Sequence, residues 1–290
     1  MNRFLKGAMI LTIAGIIVKI IGAFSKVLIA RILGGEGIGL YMMAYPIYQI
    51  IVSISAAGIP VAISIMIAEK LANRDIRGVQ QVFNVSLRVL TLVGIVFSVG
   101  LYASAEWLIK WHIITDPRAL IPIQLLSPAI IVVTILSCFR GYFQGFQYMV
   151  PTGTSQVFEQ IFRVGSMVGL AYYFIDSGLH LAAGGATFAT FPGVLAGLIV
   201  LIYFYRSQRN LRQQMLTEQN ETAPIETNGT VIKRLFALAI PVSMANIMLP
   251  MVSLIDTFIV PKRLMDIGYY LHEATTQFGY LTGMATSLIG

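Results

Sequence analysis

The sequence feature that most constrains the fold is an apolar run from about Phe4 to Leu33. About 20 apolar residues are enough for a helix to cross a lipid bilayer, so this run predicts a first transmembrane helix. Six further runs of this kind and the start of another follow it, and the eight cover approximately residues 4–30, 40–68, 82–105, 119–140, 154–176, 181–205, 235–260 and the chain from about 275. The sequence therefore predicts an all-α polytopic membrane protein.

The composition supports the same class. Hydrophobic residues make up 57% of the chain and charged residues 11%, and the mean hydropathy is +0.78, whereas a soluble globular domain has about 25% charged residues. A net charge of +7 would suit a nucleic-acid partner, but the basic residues are dispersed along the connecting segments. The single cysteine, Cys138, provides neither an internal disulfide nor a metal cluster. We expect membrane lipids, and no nucleic acid, among the partners.

The distribution of lysine and arginine predicts the orientation. With the N-terminus in the cytoplasm, twelve of the 20 Lys and Arg residues lie on the inner side and five on the outer side. This is the bias that cytoplasmic loops normally carry. The other three, Lys19, Lys26 and Arg163, lie within the predicted spans. The sequence thus predicts a multi-pass protein of the cell membrane with a cytoplasmic N-terminus.

A polar stretch between the sixth and seventh spans predicts the domain organisation. Residues 207–230 are expected to form a cytoplasmic linker between a six-helix N-terminal lobe, residues 1–206, and the remainder, residues 231–290. The last apolar segment reaches only about a dozen residues before Gly290, which is short for a span. We therefore expect residues 231–290 to be the first helices of a truncated second lobe.

The first predicted span carries two lysines on one stripe. Gly15, Lys19, Gly22 and Lys26 fall at helical spacing. A lysine at the bilayer centre costs about 2.5–3.5 kcal/mol on insertion scales, so it normally faces protein or a watery cavity. The stripe predicts a cationic wall for an anionic ligand. The alternative is that Lys19 pairs with an acidic residue while Lys26 extends to the membrane interface.

Two later spans also contain charged residues. Glu159 and Arg163 are four residues apart on the fifth span and can neutralise each other, so we expect a structural ion pair. Asp256 is a carboxylate within the seventh span and is a candidate for coupling transport to Na⁺ or H⁺. Its alternative is pairing with the nearby Lys262 or Arg263.

The sequence offers no constellation for catalysis. The histidines are separated by dozens of residues without metal-ligand spacing, and there is neither a nucleophile elbow nor a Walker loop. We therefore predict a protein that is not an enzyme and needs no metal or cofactor.

Glycine and proline predict where helices bend or approach each other. The glycine-rich segment 34–39 predicts a tight turn between the first two spans, and Ala56-Ala57-Gly58-Ile59-Pro60 predicts a break in the second, either a static kink or a hinge. Pairs of glycines four residues apart predict close helix packing, and they are Gly141/Gly145, Gly165/Gly169 and Gly193/Gly197.

Five ordered segments resemble a known family. They are Lys6-Gly7, Ile29-Ala30-Arg31-Ile32-Leu33-Gly34-Gly35-Glu36-Gly37-Ile38-Gly39-Leu40-Tyr41, Gly58-Ile59-Pro60-Val61-Ala62-Ile63-Ser64, Arg140-Gly141-Tyr142-Phe143-Gln144-Gly145 and Ser155-Gln156-Val157-Phe158-Glu159-Gln160. Together they resemble the stage V sporulation protein B and polysaccharide exporter family. This family belongs to the multidrug/oligosaccharidyl-lipid/polysaccharide exporter superfamily, which includes the lipid II flippases. The resemblance extends over essentially all 290 residues.

The resemblance implies about 14 helices in two six-helix lobes around a central cavity that opens alternately to each side of the bacterial cytoplasmic membrane. The implied cargo is an undecaprenyl-pyrophosphate-linked saccharide, such as the peptidoglycan precursor lipid II or a related polysaccharide unit. By motif alignment, the cationic residues that attract the pyrophosphate in the flippases correspond to Lys19, Lys26 and, at the helix end, Arg31. The hypothesis predicts that Lys19→Ala abolishes transport.

One departure from the flippase pattern follows Pro46, where an arginine is often found but this chain reads Ile47-Tyr48-Gln49-Ile50-Ile51. Two other functions remain open. A cation-coupled multidrug exporter of the same superfamily would prefer acidic cavity groups, whereas these spans carry three basic and two acidic residues. A non-transporting scaffold for envelope synthesis would instead use the inner loops.

Overall fold

The computed structural model describes residues 3–210, 213–214 and 226–285. Within these ranges the chain is helical and contains no strand, which confirms the predicted all-α class. The helices are α1 (Arg3–Val52), α2 (Ile59–Ala72), α3 (Ile76–Lys110), α4 (Leu120–Gly145), α5 (Val150–Phe174), α6 (Leu179–Phe188), α7 (Thr190–Ser207), α8 (Asn228–Asp266) and α9 (Leu271–Gly279). Short 3₁₀ or π turns lie at Ser53–Ala57, Pro117–Ala119, Ile175–Ser177 and Tyr280–Ala285.

Helix α1 is interrupted at Gly34, where φ is 64° and ψ is −175°. This left-handed conformation is one that glycine adopts readily. Gly22 and Gln49 line one common cavity, although a straight helix would place them about 40 Å apart. The chain therefore reverses at Gly34, and α1 consists of two segments that face each other. The predicted turn over residues 34–39 is too long, because helix resumes at Gly35.

Five stretches of helix are long and apolar enough to cross a membrane, and they are Leu5–Ala72, Ile76–Lys110, Pro117–Gly145, Leu179–Ser207 and Asn228–Asp266. The first contains the reversal at Gly34, so it supplies two crossings. The 25-residue α5 is not among the five, yet it packs against α1, α6 and α7 inside the bundle. The chain is thus a multi-pass membrane protein, and each of the first seven predicted spans corresponds to helix in the structure.

The two ends of the bundle differ in what they contain. One end, here called the linker end, has the connections at residues 73–75 and 146–149 and the start of α8. The opposite end, here called the Gly34 end, has Gly34, the connection between α3 and α4, and residues 267–270. Most of the predicted linker 207–230 and the last five residues of the predicted eighth span lie outside the described residues.

Helix α4 lies at the centre of the bundle and contacts α2, α3, α6 and α7. Gly141 and Gly145 allow α2 to approach, because a Cβ atom on them would lie 2.8 Å from the Ile63 Cβ atom and 2.7 Å from the Ile67 Cβ atom. Close packing was also expected at Gly165/Gly169. That prediction is wrong within the described residues, where no atom lies within 4 Å of a Cβ on either glycine.

Helix α8 is attached to the earlier helices by ion pairs at the linker end. The buried Lys70 contacts Asp75 at 3.1 Å and Glu226 at 2.8 Å, and Arg234 pairs with Glu69. These contacts hold the start of α8 against the ends of α2 and α3. The division into lobes at residues 206 and 230 stays a prediction.

At the Gly34 end, a fully buried carboxylate connects three parts of the chain. Asp116 accepts hydrogen bonds from the Arg118 backbone, from the Arg118 guanidinium at 3.0 and 2.7 Å, and from the Thr275 hydroxyl at 3.0 Å. Arg118 also pairs with Glu36 at 2.8 Å. The start of α4, the beginning of the second α1 segment and α9 are therefore joined through one charge network.

We expect Asp116→Ala to lower the free energy of unfolding by about 3 kcal/mol, because it leaves partners of a buried carboxylate without an acceptor. Thermal unfolding of the detergent-solubilised protein measures this effect. Asp176→Ala, which removes an exposed carboxylate at the same end, is the control and should change the melting temperature little. Equal stability of the two variants would contradict the role assigned to Asp116.

Candidate functional site

Two adjoining cavities lie among α1, α5 and α8. The first, here called the Lys26 cavity, has a volume of about 360 Å³ and lies between the two segments of α1, α5, α8 and the chain after α9. The second, here called the Arg140 cavity, has a volume of about 530 Å³ and extends to α4 and α7. Tyr45, Gln49 and Arg163 line both cavities, so the two spaces meet at these side chains.

Lys26 lines the first cavity from the first segment of α1. Its side chain is exposed, and no salt bridge to it is formed within the described part of the chain. A cationic group without an acidic partner inside an apolar bundle is suited to an anionic ligand. Lys26 thus lines a cavity, whereas the cationic wall that the lysine stripe indicated stays a prediction.

Lys19 and Arg31 differ from Lys26. Both are exposed, and neither is among the described residues that line the two cavities. Lys19 is two helical turns from Lys26 toward the linker end, about 10 Å along the axis. The structure therefore does not bring the three predicted ligand-binding residues together in one cavity, although all three lie on the first segment of α1.

Asp256 lines the Lys26 cavity from α8. The pairing with Lys262 or Arg263 that the sequence left open is not formed within the described residues. Arg263 contacts Asp266 at 3.3 Å, and the Lys262 ammonium lies 5.6 Å from the centre of the Phe258 ring. One cavity thus receives an ammonium and a carboxylate from opposite ends of the sequence.

The ion pair expected between Glu159 and Arg163 is part of a cluster of three charges. Glu159 accepts hydrogen bonds from Arg163 and, at 2.8 Å, from Arg140 of α4. The Ser155 hydroxyl lies 3.3 Å from Nη2 of Arg140. The side chains of Arg140, Glu159 and Arg163 are 17%, 12% and 24% exposed, and the cluster has a formal charge of +1. The expected pair of Glu159 and Arg163 is therefore formed, but it is part of a cluster that also contains Arg140 and carries a net positive charge.

Sequence reasoning missed Arg140 as a member of this cluster. It lies 19 residues before Glu159 on a different helix, so no helical spacing connects them. Helix α7 packs closely against the α5 side of the cluster, because a Cβ atom on Gly193 would lie 2.7 Å from the Arg163 Cβ atom. The only sequence signal was the presence of Arg140 and Glu159 in neighbouring family motifs.

Three tyrosines on the second segment of α1 were also missed as a group. Tyr41 and Tyr45 stack at 5.4 Å between ring centres, and Tyr45 and Tyr48 lie 5.9 Å apart. Tyr41 lines the Lys26 cavity, Tyr48 lines the Arg140 cavity, and Tyr45 lines both. Their spacing of four and three residues is the signal that could have indicated a shared face. The second segment of α1 thus contributes three aromatic side chains to the lining of the two cavities.

The fold resembles that of solved MATE structures. A crystal structure of MATE in complex with MaD3S matches with a TM-score of 0.68 at 16% identity, over all of this chain and 62% of that chain. An inward-facing multidrug resistance MATE family transporter of the MOP superfamily matches with a TM-score of 0.66 at 17% identity, over 93% of this chain and 60% of that chain. At these identities the likeness concerns the fold alone.

Sequence comparison identifies closer relatives. Stage V sporulation protein B of Bacillus subtilis (strain 168) is 30% identical over 288 residues, which is 99% of this chain and 55% of the relative. Lipid II flippase MurJ of the same organism is 27% identical over 286 residues, which is 95% of this chain and 52% of the relative. The chain spans about half the length of these curated relatives. The predicted resemblance to this exporter family and its superfamily is confirmed.

A family model described as polysaccharide biosynthesis protein matches residues 4–285, nearly the whole sequence. The match includes both segments of α1, the charge cluster on α4 and α5, and Asp256 on α8. The chain therefore belongs to the polysaccharide biosynthesis protein family.

Proposed function

We propose that the protein is a flippase that moves an undecaprenyl-pyrophosphate-linked saccharide across the bacterial cytoplasmic membrane by alternating access. Lipid II or a related polysaccharide unit is the proposed cargo, and the N-terminus is proposed to be cytoplasmic. The observation that carries the proposal is the cavity between the two α1 segments, into which Lys26 projects without an acidic partner among the described residues. The kinship with a lipid II flippase supports the same cargo class.

The cavity explains why a lysine is useful at this position. Electrostatic attraction between Lys26 and a diphosphate is stronger in a space bounded by apolar helices than in bulk water. The ammonium group acts as a point charge and lacks the planar fork of an arginine, so it places few demands on headgroup shape. Lys19 and Arg31 extend the positive charge along the same helix segment. The polyprenyl chain would stay in the lipid while the headgroup occupies the cavity.

Asp256 is the proposed site of coupling to Na⁺ or H⁺. It faces the same cavity as Lys26, so binding of a cation there would change the charge that the headgroup meets. No cofactor or metal is part of the proposal, and we propose transport rather than catalysis as the activity of the protein.

A cation-coupled multidrug exporter is the second candidate, because Asp256 provides an acidic group in the cavity and the fold resembles MATE transporters. A cationic drug would be attracted by Asp256 and repelled by Lys26. The two functions therefore predict opposite effects of removing the lysine: loss of transport for a lipid-linked diphosphate, and unchanged or faster export for a cationic drug.

The proposed function is tested in bacteria whose own lipid II flippase can be switched off. The protein is expressed from its complete gene, and lipid II exposed on the outer leaflet is quantified. Restored exposure supports the proposal. Failure to restore it, at normal abundance in the membrane, would mean that the cargo is another molecule or that the protein is no flippase. Resistance to cationic drugs, measured in the same strains, distinguishes the second candidate.

A further inference from the structure

Arg163 occupies the position where the two cavities meet. It lines the Lys26 cavity and the Arg140 cavity, and Gln160, one turn earlier on α5, lines the first of them. Lys26 reaches the shared cavity from α1, so two cations approach one space of about 360 Å³ from different helices. A diphosphate carries enough negative charge to interact with both cations together.

The hydrogen bonds of Arg163 are incomplete. Its Nη2 atom donates to Glu159, whereas its Nε atom is buried and has no acceptor within the described residues. An arginine carries five N–H donors in a planar fork that suits phosphate oxygens. A buried donor without an acceptor is unfavourable, so an arginine that served only to fix helix packing would be expected to be fully bonded. Arg163 retains capacity for a further acceptor.

Glu159 does not depend on Arg163 for its neutralisation. Arg140 donates to it at 2.8 Å and is itself held near Ser155 at 3.3 Å. If Arg163 turned toward the cavity, Glu159 would keep one cationic partner and the Arg140–Glu159 pair would be neutral. The cluster is therefore built so that one of its two arginines can leave without stranding a buried carboxylate.

We propose that Arg163 is a second cationic ligand for the diphosphate of a lipid-linked substrate, opposite Lys26, and that Glu159 competes with the substrate for it. The inference rests on the proposed function and adds a binding residue to it. In the absence of substrate, Arg163 pairs with Glu159. When a diphosphate enters the Lys26 cavity, Arg163 pairs with the diphosphate instead of with Glu159. Glu159 then pairs with Arg140 alone. Asp256 lines the same cavity and offsets part of its positive charge.

Binding of farnesyl diphosphate, a soluble prenyl diphosphate, to the purified protein tests the proposal. The protein comes from the complete gene, and calorimetry measures the affinity. Arg163→Gln should weaken binding at least about tenfold, since it removes a charge-assisted contact. Glu159→Gln should bind at least as tightly as the wild type, because the internal competitor has become neutral. The affinity of Arg163→Lys should lie between those of Arg163→Gln and Glu159→Gln, since lysine keeps the positive charge but lacks the planar fork of donors.

The double variant Glu159→Gln/Arg163→Gln separates binding from structure. It removes the competitor Glu159 together with Arg163, while Arg140 keeps its contact with the Ser155 hydroxyl, and a melting temperature confirms that it is folded. The proposal predicts that it binds the probe about tenfold more weakly than the wild type. Binding equal to that of the wild type would overturn the proposal. Arg88→Gln, at an exposed site on α3 outside both cavities, is the matched control and should leave affinity unchanged.

Comparing the affinity for farnesyl diphosphate with that for inorganic pyrophosphate distinguishes a lipid-linked ligand from a soluble one. Tighter binding of the prenyl probe, with the same dependence on Arg163, supports both the inference and the proposed flippase. Equal affinity for the two probes with that dependence would support the role of Arg163 but count against a lipid-linked cargo. Absence of binding of either probe by the wild type would overturn the inference.

Discussion

Replacing Lys26 with alanine is expected to reduce transport of the lipid-linked saccharide to about a tenth or less of the wild-type rate. Lys26 is the cation of the first α1 segment that lines the cavity, and no salt bridge to it is formed within the described structure. Its removal takes one charge-assisted contact from the diphosphate, which corresponds to about 1.5–3 kcal/mol. The measurement is the rate of lipid II exposure at matched membrane abundance.

Two other lysines on the same helix segment provide the comparison. Lys6→Ala removes an exposed charge near the linker end, outside both cavities, and should leave transport close to the wild-type rate. Lys19→Ala was predicted from the sequence to abolish transport. Since Lys19 does not line either cavity, the geometry moves the larger effect to Lys26 and leaves Lys19 a smaller one. A Lys26→Ala variant that transports as fast as Lys6→Ala would contradict the cationic-cavity mechanism.

Replacing Gly58 with alanine is expected to destabilise the protein by about 3 kcal/mol or more, or to prevent its accumulation in the membrane. A Cβ atom at this position would lie 2.1 Å from the Ala239 carbonyl oxygen of α8 and 2.9 Å from its carbon. Backbone atoms cannot move aside as the end of a flexible side chain does. The Gly58 amide also donates to the Ser243 hydroxyl at 3.2 Å, so displacement of α8 would break this bond.

Gly100→Ala is the control for Gly58→Ala, and thermal unfolding measures the stability of both variants. No described atom lies within 4 Å of a Cβ on Gly100, which is in the interior of α3, and alanine is favoured over glycine there by about 0.5–1 kcal/mol. The control should therefore match or exceed the wild-type melting temperature. If Gly58→Ala were as stable as the control, α8 would not pack against the break between Ser53–Ala57 and α2 as described.

The membrane spans could be predicted from the sequence because hydropathy and length decide whether a segment crosses the bilayer. The glycine-rich segment indicated a turn, but sequence alone did not show that Gly34 is the residue that reverses the chain. The break at residues 56–60 was expected as a kink or a hinge. Its close contact with α8 depends on a partner more than 180 residues away, which no local pattern reveals.

The candidate site could be predicted only in part, because sequence spacing relates residues within one helix and not residues on different helices. Sequence spacing places Lys19 and Lys26 on one stripe, but the rotation of a helix in the bundle is set by its packing against its neighbours. The structure puts Lys26, and not Lys19, on the cavity wall. Helical spacing linked Glu159 to Arg163, whereas Arg140 joins them through the contact between α4 and α5. Sequence patterns do not show which residues of different helices come into contact in the site.

The most direct measurement of the central claim is transport by the purified protein in lipid vesicles. The protein from its complete gene is reconstituted with an undecaprenyl-pyrophosphate-linked saccharide, and the amount of this lipid in each leaflet is followed over time for the wild type and Lys26→Ala. We predict rapid exchange between leaflets for the wild type and exchange near that of protein-free vesicles for Lys26→Ala. Exchange by the wild type no faster than in protein-free vesicles, or equal exchange by both proteins, would contradict the account.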